Sequence, residues 1–187
     1  VKLIILDRDG VINHDSDAYV KNPDEWLPLP GSLEAIARLH QAGWKIAVAS
    51  NQSGLARGYF DIAQLNAMHQ KCRDLLAALG GAIDAFFICP HGPDDRCHCR
   101  KPLPGLFHEI AKRFDTSLDG VPAVGDSLRD LQASASVGCT PWLVKTGNGT
   151  KTLQSGGLPA GTEQASDLAE VVDRLLMISR DVNRDTA

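Results

Sequence analysis

One junction constrains this chain more than any other feature: the apolar run Leu3-Ile4-Ile5-Leu6 passes directly into Asp7-Arg8-Asp9-Gly10-Val11. A short leucine- and isoleucine-rich run, closed by an Asp-Gly turn signal, reads as a strand buried on both faces, as in a parallel sheet. Parallel strands need long crossover connections, so the rest of the chain must supply helices. Ligands of open parallel sheets bind at the carboxyl ends of the strands. This strand delivers two carboxylates to that edge, and two neighbouring negative charges stay ionised only where a cation offsets them.

The predicted alternation is present. Strand-like runs fall at residues 2–6, 45–49, 85–89, 121–124 and 141–144. Helical patterns fall at 33–41 with Ser32 as N-cap, at 62–79 behind Asp61 with Gln64 in capping-box spacing, and at 106–114, 128–137 and 168–178. In the 62–79 pattern, Leu65, Met68, Cys72, Leu75, Leu76 and Leu79 form an apolar stripe that reads as core packing. Residues 13–31, 90–104 and the glycine-rich 146–161 read as loops, the last as a flexible surface excursion. No repeat, linker or insertion long enough for a second unit interrupts this order. The expected fold is α/β: one Rossmann-like domain over residues 1–187 around a central parallel sheet, with a metal loop at 89–101 and a terminal loop and helix at 146–187.

With 19 basic against 23 acidic residues the formal charge is −4, which gives no global attraction to nucleic acid or to anionic membranes. An anionic substrate therefore needs a local cluster of Arg and Lys. No apolar run reaches transmembrane length and the first residues form a strand, so neither a membrane span nor a signal peptide is expected. A cytoplasmic monomer acting on a small molecule is the resulting expectation.

Two further predicted strands end in polar, potentially catalytic segments. The second runs into Ser50-Asn51-Gln52-Ser53-Gly54, and the fourth into Gly125-Asp126-Ser127-Leu128-Arg129-Asp130. Asp126 and Asp130, four residues apart at a helix start, can face one pocket. Three of the five cysteines crowd between residues 89 and 99, where Cys89-Pro90-His91 and Cys97-His98-Cys99 form two tight pairs. Thiolates and an imidazole in such pairs suit tetrahedral zinc, and four protein ligands leave no open position for water. Cys89, His91, Cys97 and Cys99 are the expected ligands, with His98 as the alternate and a structural role for the ion. Cys139 reads as an isolated buried thiol.

The motifs D-R-D-G, Ser50, Lys101 in C-R-K-P and G-D-x-x-x-D resemble those of the haloacid dehalogenase-like phosphohydrolases, in this order, from Leu3 to about Val144. The resemblance implies that Asp7 is the nucleophile and Asp9 the general acid and base. It implies Ser50 and Lys101 as stabilisers of the transferring phosphoryl group. Magnesium is implied on Asp7, the Asp9 backbone carbonyl and Asp126. The zinc loop together with N-Q-S-G-L-A-R-G narrows the resemblance to the branch containing D-glycero-D-manno-heptose 1,7-bisphosphate 7-phosphatases and histidinol-phosphate phosphatases. That branch has no cap domain and reads substrate with loops, here 13–20, 50–58 and 90–101.

From the loops, Asp15, Tyr19, Asn51, Gln52, Ser53, Arg57, Arg100 and Ser127 are the expected substrate contacts. Arg57 and Arg100 offer bidentate donors to a second phosphate, which only a bisphosphate carries. The resemblance therefore implies removal of the 7-phosphate from the heptose bisphosphate, a step toward ADP-heptose and the lipopolysaccharide core. Ser127 departs from the pattern, since some relatives place Lys there. The competing expectations are histidinol-phosphate hydrolysis and a non-enzymatic zinc-loop interaction module. A polynucleotide phosphatase is disfavoured by the net charge and the lack of a basic face interleaved with aromatics.

Overall fold

The computed structural model describes residues 1–185, with side-chain surroundings to residue 178. The expected domain end at residue 187 therefore lies outside the described residues. Six strands form one sheet: β1 (Leu3–Leu6), β2 (Lys45–Asn51), β3 (Ala85–Cys89), β4 (Pro122–Gly125), β5 (Thr140–Val144) and β6 (Glu163–Ala165). Their order is β3-β2-β1-β4-β5-β6 and every pairing is parallel. The direction of winding reverses between β1 and β4, the position at which open α/β sheets open a crevice for ligands.

Six helices accompany the strands: α1 (Ser32–Gln41), α2 (Ile62–Ala78), α3 (Gly105–Phe114), α4 (Leu128–Ala135), α5 (Gly149–Ser155) and α6 (Leu168–Asp185). The period-2 alternation of β1 divides the core. Ile4 and Leu6 pack with α1, α2 and α6 on one face, and Leu3 and Ile5 with α3 and α4 on the other. All four are at most 2% exposed, each burial contributing roughly 1.5–3 kcal/mol.

Four expectations change. Ser32 is not the N-cap of α1; Gly31 is, in the left-handed region at φ 79°, and Ser32 Oγ instead donates to the Val11 carbonyl at 2.8 Å. Leu75 and Leu79 are exposed at 38% and 39%, while His69 takes a place in the buried stripe of α2. The excursion at 146–161 contains α5, pinned where Thr152 Oγ1 donates to the Asp126 carbonyl at 2.7 Å. Strand β6 has no counterpart among the expected strands. Asp61 does cap α2, its carboxylate accepting from the Gln64 N–H at 2.9 Å.

Candidate active site

Strands β1, β2, β3 and β4 all end at one rim, and a cleft of about 370 Å³ opens there. Its floor is ionic. Lys101 Nζ, 3% exposed, lies 2.9 Å from Asp7 Oδ1, 2.7 Å from Asp130 Oδ1 and 2.6 Å from the Ala49 carbonyl. Asp7, Asp126 and Asp130 bring carboxylate oxygens within 4.8 Å of one another. Burial, with the charge of Asp130 beside it, pushes the Asp7 carboxyl well above the ordinary range. The same two causes raise Asp126 to about 7. Burial acts against ionised Asp130 as well, but the Lys101 ammonium and the hydrogen bonds from Ser127 hold its carboxyl low.

Three carboxylates against one ammonium leave excess negative charge in a site that offers only oxygen donors. Such a set fits a hard dication, which takes carboxylate, carbonyl and water oxygens. The backbone is shaped around one of these acids. A methyl group at Gly10, where φ is 85°, would fall 2.1 Å from Asp126 Oδ2, and one at Gly147 would fall 2.2 Å from it. That oxygen also accepts from the Asn148 N–H at 2.7 Å.

The Asp9 side chain turns to the other wall. Arg8 Nη2 donates to its two oxygens at 2.9 and 3.2 Å, Asn13 Nδ2 donates at 2.8 Å and Gln52 Nε2 at 3.0 Å. Ser50 is 1% exposed and does not line the cleft; its Oγ accepts from Gln52 Nε2 at 2.8 Å. Asn51, Gln52, Ser53, Arg57, Arg100, Asp15, Tyr19 and Ser127 do line it. Asn51 also braces the floor, because its side chain exchanges hydrogen bonds with the Lys101 backbone, accepting at 3.0 Å and donating at 3.1 Å. Ser127 caps α4, its hydroxyl donating to Asp130 Oδ2 at 2.8 Å. Tyr19 sits in the left-handed region at φ 67°, its ring 5.0 Å from that of Tyr59, with Arg57 5.9 Å above it.

Several cleft or near-cleft residues were not picked out by sequence. Arg8, the neighbour of Asp9 in sequence, donates to its carboxylate, and His69 meets Arg8 from 61 residues away. Asn148 fastens Asp15 at 3.0 Å. Arg129 lines the cleft from the first turn of α4. A cation in that turn opposes the helix dipole, the one local sign of a role beyond α4 itself.

The Cys/His loop closes beside this floor. Cys89 Sγ lies 3.0 Å from Cys99 Sγ and 3.9 Å from Cys97 Sγ, and His91 Nδ1 is 3.3 Å from Cys99 and 3.5 Å from Cys89. Tetrahedral zinc with bonds of about 2.3 Å to sulfur requires sulfurs roughly 3.7 Å apart, close to this arrangement. All four are free side chains that fit the ion, and His98 stands outside the group. Burial and the neighbouring sulfur of Cys89 raise the Cys99 thiol to about 12. Two adjacent thiolates are costly without a cation to share.

The haloacid dehalogenase-like hydrolase pattern matches residues 3–138. The D-glycero-beta-D-manno-heptose-1,7-bisphosphate 7-phosphatase of Bordetella bronchiseptica is 67% identical over 176 residues, which is 94% of this chain and 98% of that protein. The chain belongs to the haloacid dehalogenase-like hydrolases. Within that family it is also similar to the Pseudomonas aeruginosa protein of the same name, at 56% identity over 93% of this chain and 97% of the other. A crystal structure of the B. bronchiseptica D,D-heptose 1,7-bisphosphate phosphatase, complexed with magnesium and phosphate, superposes with a TM-score of 0.94. It covers 95% of this chain and 99% of that one.

Proposed function

We propose that this protein is a magnesium-dependent phosphatase that removes the 7-phosphate of D-glycero-D-manno-heptose 1,7-bisphosphate, on the route to ADP-heptose and the lipopolysaccharide core. One observation carries the reading: a carboxylate and lysine floor suited to phosphoryl transfer lies beneath a rim bearing Arg57, Arg100 and Arg129. The floor serves one phosphate and the rim serves a second. Histidinol phosphate has an amine where that second phosphate would be, and gains little from three guanidinium groups.

Asp7 attacks phosphorus in line and forms an aspartyl-phosphate as the bond to the sugar oxygen breaks. Asp9 gives its proton to that oxygen, then takes one from the water that hydrolyses the intermediate. Lys101 stabilises charge on the equatorial oxygens, and Ser50, behind the cleft wall, keeps a hydroxyl proton that reaches them only if its side chain turns into the cleft. Magnesium on Asp7, Asp126 and the Asp9 backbone carbonyl would neutralise the floor and polarise the phosphoryl group. Structural zinc on Cys89, His91, Cys97 and Cys99 would fix the loop that carries Arg100 and Lys101. Asp15, Tyr19, Asn51, Gln52, Ser53 and Ser127 form the walls around the sugar.

The scheme needs no residue from a second subunit, and we propose that the enzyme acts as a monomer. Among the described residues no helix is long and apolar enough to cross a membrane. The small anionic sugar substrate supports a cytoplasmic location. The test is phosphate release with magnesium from heptose 1,7-bisphosphate and from histidinol phosphate, with phosphorus NMR identifying the phosphate that remains. The expected result is preference for the bisphosphate with the 1-phosphate kept. Preference for histidinol phosphate overturns the proposal.

A further inference from the structure

A fully buried guanidinium stands behind the acid of the proposed reaction. The Arg8 side chain is 1% exposed, on the strand end between the two aspartates. Its Nε and Nη2 donate to Asp9 Oδ1 at 3.1 and 2.9 Å, and Nη2 also reaches Gln52 Oε1 at 3.3 Å. Its remaining nitrogen, Nη1, lies 3.4 Å from His69 Nε2. A guanidinium has five N–H donors and no acceptor, so this contact is a hydrogen bond only if Nε2 carries the lone pair and Nδ1 the proton.

His69 is built for that state. It sits on α2, 5% exposed, with its ring stacked on Phe86 at 4.1 Å between centroids and 16° between planes. Burial, with the charges of Arg8 and Arg73 nearby, lowers its pKa to about 3, so the imidazole stays neutral. Phe86 lies on β3, and the Arg73 guanidinium lies 4.8 Å from the centre of its ring. The imidazole is thus held by the sheet edge, and the sheet edge fixes where its lone pair points.

We infer that His69 is a positioning residue for Asp9, acting through Arg8. The inference rests on the acid and base role proposed for Asp9. Asp9 accepts from Arg8, Asn13 and Gln52, and the Arg8 side chain is met in turn by His69 on α2. Without an acceptor at Nη1 a buried guanidinium N–H is left without a partner, and the Arg8 fork, still bonded to Asp9 and Gln52, shifts to find one and carries the Asp9 carboxyl off its bearing on the leaving oxygen. The effect falls on proton donation, which matters most for a poor leaving group such as a sugar alkoxide and least for nitrophenolate.

The experiment compares His69→Phe, which keeps an aromatic ring against Phe86 without the acceptor, and His69→Gln, which returns an acceptor. The readout is kcat/KM across aryl and alkyl phosphates of increasing leaving-group pKa, on protein shown to be folded by circular dichroism. His69→Phe is expected to depress alkyl phosphates about tenfold more than 4-nitrophenyl phosphate, with His69→Gln recovering most of the difference. Equal depression across the series makes His69 a packing residue and overturns the inference. Nitrogen-15 NMR of the wild type is expected to find Nε2 unprotonated. A protonated Nε2 in an active enzyme overturns this inference alone, and an inactive wild type overturns the proposed function together with it.

Discussion

The acidic floor and the thiol loop both crowd ionisable groups, yet they are held in opposite ways. Asp7 and Asp126 stand at the ends of two buried, neighbouring strands, and Lys101 supplies an internal counter-charge to the floor. Of the four cluster residues only Cys89 belongs to a strand; His91, Cys97 and Cys99 sit on a connection with no regular structure. The floor is therefore formed by the fold and fits a cation that would complete it, whereas the loop would be formed by its own four side chains around the proposed zinc. The two meet within the run Cys99-Arg100-Lys101, so the loop's order sets the position of the floor's lysine.

The largest expected effect tests the floor. Asp7→Asn removes the proposed nucleophile and metal ligand together and should cut turnover by a factor on the order of 10³ or more. Thermal unfolding and zinc content should stay near wild type, because the strand and the loop are untouched. A folded variant keeping a tenth of the activity would remove Asp7 from the chemistry.

Stripping the zinc, by chelator or by Cys97→Ser, should reverse that pattern. Amide exchange should accelerate first across residues 89–101 while β1 and β2 stay protected, and activity should fall as Lys101 loses its anchor. Metal analysis of protein purified without added zinc should find one ion per chain. Its absence would leave the loop to be ordered by something else and erase the contrast.

A smaller, selective effect is expected at the rim. Arg57→Ala should weaken the bisphosphate by about 1.5–3 kcal/mol in kcat/KM, one to two decades, and leave an aryl phosphate nearly unchanged. Asp9→Asn should damage both substrates. Equal loss on both from Arg57→Ala would make Arg57 part of the machinery rather than of recognition.

The smallest concerns the brace inside the loop, where Gly92 N–H donates to Asp95 Oδ2 at 2.7 Å. Asp95→Ala should cost about 0.5–1.5 kcal/mol and spare zinc stoichiometry, if the metal is what orders the loop. Loss of zinc from this variant would shift the weight from metal to backbone.

What could be read in advance follows the same division. The strand ends were legible because apolar runs and turn signals mark them locally, and the Cys/His cluster because its spacing does. Strand β6 escaped because three residues, Glu163-Gln164-Ala165, carry no hydrophobic pattern and only pair with β5. Helix α5 escaped because its ends are glycine-bounded and its anchor, Thr152 on Asp126, lies 26 residues away. Leu75 and Leu79 have the right period but stay exposed at 38% and 39%, which periodicity cannot report. Arginine reads as exposed, and nothing near Arg8 announces that His69, 61 residues on, will complete its burial. The resemblance supplied the roles, Lys101 and the expected magnesium ligands, and residue chemistry pointed to the crowded acids and the Cys/His cluster. The partnership behind the acid was visible only in three dimensions.

Gly10 and Gly147 carry a last consequence. They meet the same oxygen of Asp126 from two sides, each at a left-handed φ, with no room for a single carbon. Neither position contributes a functional group, so a survey of side-chain chemistry passes over both. Yet a replacement there presses on the Asp126 carboxylate, and one at Gly147 also meets the Gly10 backbone at 2.6 Å. Sequence variation at these two sites is therefore closed by the site as well as by the backbone. Part of this site is defined by where atoms are absent.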